Sequence, residues 1–179
     1  MSPLRWAISI IGYPLGSLAA IQVASTTEGP ALAALAGLIA GAVLGTAQWL
    51  ALRPAVTWLW IVATALGLAV GAAIGAGVTG GDDSVGSLVL YGAIAGAFTG
   101  VAQGLVLGSR RILPWIATVA GSWAIAWVIT KAVIVDEQKG FVTFGMSGAV
   151  IATLATGLVL RAFFGARSPK AASVEAVAA

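Results

Sequence analysis

The chain has no cysteine and no histidine. The first absence removes disulfides, thiolate nucleophiles and iron–sulfur ligation. The second removes the commonest metal and haem ligand, and the usual general base near neutral pH. Charge is nearly as scarce: only 8% of the 179 residues are Asp, Glu, Lys or Arg, where a soluble domain carries about 25%. So few charges cannot clothe a surface facing water, and lipid is the solvent that suits this composition. No GxSxG, HExxH or phosphate-loop pattern occurs, so the sequence offers no catalytic residue and reads as a non-enzyme with no cofactor or metal site. The net charge of +3 is small, and its placement argues for membrane orientation rather than for nucleic acid.

What the chain does have is apolar: 60% of it is hydrophobic, with a mean hydropathy of +1.04. Charged or turn-forming clusters divide it into apolar stretches near 4–26, 31–52, 56–78, 87–108, 112–135 and 141–164. Each is long enough to cross a hydrocarbon core ~30 Å thick. Backbone groups in lipid must be satisfied within their own segment, so each stretch should be an α-helix. The expected fold is an all-α integral membrane domain of six transmembrane helices over 1–166, with a flexible tail at 167–179. The apolar start resembles a signal peptide, and Val23-Ala24-Ser25 would pass as a weak cleavage site. Its run of roughly twenty apolar positions is long for a cleaved segment, and retention is expected.

Arg5, Arg53, Arg110, Arg111, Arg161, Arg167 and Lys170 flank one set of helix ends. Glu28, Asp82, Asp83, Asp136 and Glu137 flank the other, with only Lys131 and Lys139 beside them. The positive-inside rule puts the arginine-bearing ends and both termini in the cytoplasm, as expected for a bacterial inner-membrane protein. Arg5, Arg53, Arg110, Arg111 and Arg161 are then anchors to anionic lipid. Trp6, Trp49, Trp58, Trp60 and Trp115 lie near the same ends, where amphipathic rings favour the interface. Lys131 can snorkel outward and pair with Asp136 or Glu137, while Asp82 and Asp83 read as a solvated loop.

Ten positions of GLIAGAVLGTAQWLALR (37–53) recur 55 residues later, Gly37, Gly41, Gly45 and Gln48 returning as Gly92, Gly96, Gly100 and Gln103. WIVATALG at 60–67 likewise resembles WIATVAG at 115–121, and WAISIIG at 6–12 is a third version. A weaker copy of the glycine element is SGAVIATLATGLVLR at 147–161, with Thr156 in place of the glutamine. The chain thus reads as three parallel two-helix repeats, about 4–53, 56–110 and 112–161. Ten glycine pairs stand four apart, against about three expected by composition, and such stripes let helix backbones approach in lipid. The packing glycines expected are Gly37, Gly41, Gly45, Gly67, Gly71, Gly75, Gly92, Gly96, Gly100, Gly104 and Gly108.

Gln48 and Gln103 each sit about one turn inside the arginine-side interface. A side-chain amide in hydrocarbon is costly unless bonded. With Thr156, the pair should either form interhelical hydrogen bonds or line a polar pocket. Trp123, Trp127 and Phe98 are candidates for holding a quinone, carotenoid or other apolar ligand.

The element G-A-x-x-G-x-A-Q-W-L-x-L-R at 41–53, followed by WLWIVATALGLAVG, resembles a pattern in uncharacterised bacterial integral-membrane proteins. The resemblance covers most of 37–121; the second copy has Gly104 where the tryptophan stands. It implies a polytopic membrane protein and carries over no functional residue. The sequence favours a non-catalytic subunit or scaffold whose partners are membrane lipids and other integral membrane subunits. The alternatives are a small transporter or channel for a neutral or lipidic solute, and the apolar-ligand binder just described.

Overall fold

The computed structural model describes residues 2–23, 29–133 and 146–165. Among them every regular element is helical, and six segments are long and apolar enough to cross a membrane: Pro3–Val23, Pro30–Leu52, Leu59–Thr79, Val85–Leu107, Ile112–Val133 and Met146–Phe164. The protein is an integral membrane protein of the all-α class.

The first span is broken. Helix α1 (Pro3–Ile8) passes through a 3₁₀ turn at Ser9–Ile11 into α2 (Gly12–Val23). Pro14 has no N–H to return to the carbonyl of Ile10, and the turn before it tightens. The same pairing of a 3₁₀ turn, Ser109–Arg111, with a following Pro114 opens the fifth span. The remaining spans are α3 (Pro30–Leu52), α4 (Leu59–Thr79), α5 (Val85–Leu107), α6 (Ile112–Val133) and α7 (Met146–Gly165). Gly80, at φ 63°, ends α4 in the left-handed region that side chains rarely adopt.

Each span packs on its neighbour in chain order, and α7 returns to α1 and α2, so the six spans close into a ring. Burial follows a helical period: in α3 the inward positions are Ala33, Ala36, Gly37, Ala40, Gly41, Leu44, Gly45 and Gln48. The outward faces are no less apolar, carrying Leu66, Val70, Leu105, Leu113, Leu154 and Leu158 among others. An outer surface of that kind is matched to lipid tails, not water.

Small residues set the spacing. A Cβ on Gly41 would lie 2.7 Å from the Thr64 carbonyl, and one on Gly37 2.7 Å from that of Leu68, both on α4. Gly67 and Gly71 meet the α5 backbone in the same way and Gly96, Gly100 and Gly104 the α6 backbone, while Gly75 lies on the Tyr91 ring and Gly92 on the Trp127 ring and the Trp123 carbonyl. Close backbone approach of this kind supplies dispersion energy where lipid offers no hydrophobic drive. Gly108 departs from the expectation. It has φ 97° and open space around its Cβ position, so it turns the chain after α5 and packs against nothing. The tail at 167–179, Ala24–Ser25 of the cleavage-like stretch, and Glu28, Asp136, Glu137 and Lys139 lie outside the described residues.

Candidate functional site

The two glutamines meet. Gln103 Nε2 donates to Gln48 Oε1 at 3.1 Å and to Thr64 Oγ1 at 2.9 Å. Trp60 Nε1 donates to Gln48 Oε1, and Trp115 Nε1 to Gln103 Oε1, each at 3.1 Å. Each indole lies twelve residues after the amide it serves, and each bond crosses between hairpins: α4 onto α3, and α6 onto α5. An indole N–H can only donate, so the amide atom facing it must be the carbonyl oxygen, which fixes both amide orientations. Thr64 also donates to the Trp60 carbonyl at 2.7 Å, completing a network across four consecutive spans.

The network is buried: Gln48 and Gln103 are 5% and 2% exposed, Trp60 and Trp115 0% and 1%. Gln103 uses its oxygen and its nitrogen, whereas the Gln48 nitrogen makes no hydrogen bond among the described residues. Both amide atoms of Gln103 are therefore engaged, while the Gln48 nitrogen is open. Trp60 and Trp115 also pack ring on ring at 5.9 Å, and Trp115 on Phe163 at 6.2 Å. Arg111 closes the line by donating to the Phe163 carbonyl at 3.1 Å while lying over the Phe163 and Phe164 rings. A guanidinium at that point also answers the carbonyl-rich C-terminus of α7.

Three sequence expectations change. Thr156 is buried but joins neither glutamine; its hydroxyl donates back to Ala152 O and Thr153 O of its own helix. Trp6, Trp60 and Trp115, expected at the lipid interface, instead face inward, because each indole N–H has an acceptor inside the bundle. Phe98 does not join Trp123 and Trp127, which lie one turn apart on α6. The two indoles are buried edge-on against Tyr13 and Tyr91, while Phe98 is 38% exposed between α4 and α5.

The remaining cations stay at the ends. Arg53 lies 5.4 Å over the Trp49 ring, and Arg5, Arg110 and Arg161 are exposed. At the opposite end Lys131 Nζ stands 3.5 Å from Asp83, a partner 48 residues away that spacing along the chain does not suggest. Asp82 accepts from the hydroxyls of Ser84 and Ser87, each at 2.6 Å, and from the Ser84 amide. Those bonds, the Ser84 hydroxyl first, hold its carboxyl below the ordinary value.

Sequence reasoning missed Trp60, Trp115 and Thr64 as partners of the amides. The signal was present as a glutamine followed twelve residues later by a tryptophan, twice over (48/60 and 103/115). No protein-family model matches the chain, and no curated protein or solved structure matches it.

Proposed function

We propose that this chain is a non-catalytic subunit or scaffold of a larger membrane complex, set in a bacterial inner membrane with its arginine-bearing ends in the cytoplasm. The carrying observation is how its intramembrane amides are used. Gln48 through its oxygen and Gln103 through both amide atoms fasten hairpin to hairpin, which favours packing over lining a solute path. The described turns between spans, 53–58, 80–84 and 108–111, are too short to form a domain outside the membrane. This favours partners met within the bilayer, through the outward leucines and valines.

The expected result of purification in mild detergent is an integral membrane partner in fixed stoichiometry, identified by mass. A chain that purifies alone, and whose melting temperature rises with a small neutral solute in the wild type but not in a Gln48→Leu/Gln103→Leu variant, would replace this reading with the transporter alternative. Orientation is tested separately in the naturally cysteine-free chain. Asp82→Cys and Arg110→Cys should label from opposite compartments.

A further inference from the structure

The seam that closes the ring is built differently from the others. With Arg161 set against Arg53, α7 carries Ala149 and Thr153 where α3 has Gly41 and Gly45, and Thr156 where α3 has Gln48. Side chains thus stand where α3 has bare backbone, and no amide is on hand for the indole of α1. Trp6 accordingly donates to a backbone carbonyl, Thr153 O, at 2.8 Å. Its ring lies over Gly157, where a Cβ would sit 2.5 Å from the indole. Beside that contact the seam opens into a groove of about 380 Å³, with Pro3, Ala7, Leu154, Leu158 and Phe164 in its walls and Arg161 as its one charged group.

The groove faces the lipid phase, since Leu154 and Leu158 are 59% and 69% exposed. Arg161 makes no hydrogen bond or ion pair among the described residues, unlike Arg111, and it stands one turn from the end of its helix, in register with Arg53. We propose that this groove holds one anionic phospholipid, with an acyl chain against Leu154 and Leu158 and its phosphate on the Arg161 guanidinium. The volume falls in the ~300–1,000 Å³ range of small-molecule sites. The hydrocarbon of the bilayer is the apolar solute that reaches such a groove from the side. A guanidinium matches phosphate oxygens with two parallel N–H donors. A second copy of the chain is a poorer occupant, because it would press an apolar face onto Arg161. Among the described residues the acids, Asp82 and Asp83, belong to the opposite end of the bundle. The site is independent of whether the chain has a protein partner.

The test is native mass spectrometry of the purified protein with phosphatidylglycerol and phosphatidylcholine added in equal amounts. The wild type should retain one phosphatidylglycerol, with a preference of about fivefold, the size expected for one basic residue at a membrane surface. Arg161→Gln should erase the preference and Arg161→Lys should keep most of it. Leu158→Trp, a lipid-facing change that fills the groove, should cut retention of both lipids. A preference that survives Arg161→Gln, retention untouched by Leu158→Trp, or a dimer mass in place of a lipid adduct would each overturn the assignment.

Discussion

Replacing Gln103 with leucine keeps the bulk of the side chain and deletes three hydrogen bonds together, to Trp115, Gln48 and Thr64. Interhelical bonds in membranes are worth ~0.6 kcal/mol each, which sets the direct loss near 2 kcal/mol. The Trp115 indole N–H is then stranded at 1% exposure, and an unsatisfied buried donor costs a further ~1–3 kcal/mol. The expected destabilisation is ~3–5 kcal/mol, read from reversible unfolding in mixed dodecylmaltoside and SDS micelles by circular dichroism. Gln48→Leu deletes two bonds and strands Trp60, so it should cost about 0.6 kcal/mol less. Because both changes remove the same Gln48–Gln103 bond, the double variant should fall short of the sum by about that bond's worth. Thr156→Val is the control, expected within ~0.5 kcal/mol of wild type because that hydroxyl bonds only its own helix. A Gln103→Leu protein as stable as wild type would mean that the amide faces water, and the fastening role would be refuted.

Glycine substitutions should divide by what a methyl would strike. Gly41→Ala drives a Cβ into the Thr64 carbonyl and the Ala65 Cα of α4 and should cost ~1–3 kcal/mol in the same micelle titration. Gly121→Ala meets nothing within 4 Å and should be neutral, or stabilising by up to ~1 kcal/mol through helix propensity; equal effects at both sites would deny that α3 and α4 are held by backbone contact. Asp82 should confer a pH dependence on the start of α5. Its folded carboxyl is held below the ordinary 3.8 by the Ser84 and Ser87 bonds, so its contribution is complete above that value and is lost as pH falls from 3.8 through the folded pKa. Hydrogen exchange at Ser87 and Leu88, corrected for intrinsic rates, should accelerate across that window in the wild type and not in Asp82→Asn.

The helices were legible because hydropathy and length report depth in a membrane, and the six observed spans begin and end within a few residues of the apolar stretches. Depth is also why the tryptophans were misread. Trp60 and Trp115 do lie toward the arginine-side ends, but position along the membrane normal says nothing of which way a side chain points around its helix. That direction is decided by the neighbouring helix, here by an acceptor oxygen on Gln48 or Gln103. The glutamines stood out because an amide among leucines needs a partner. Thr156 looked equivalent to them, yet a threonine hydroxyl in a helix can satisfy itself on the preceding turn and has no need to reach across. Gly108 shared the four-residue stripe but fell one step beyond the helix, where the same residue type serves a turn.

The bond from Trp6 to Thr153 joins residues 147 apart, which constrains the order of assembly. On a ribosome the first helix emerges long before the last, and early segments settle as they appear. Until α7 is made, the Trp6 indole and the flank of α1 have only lipid or a chaperone to face. The ring can be shut only once α7 is in place, and the joint it shuts rests on Gly157 beneath the Trp6 ring, with no amide across it.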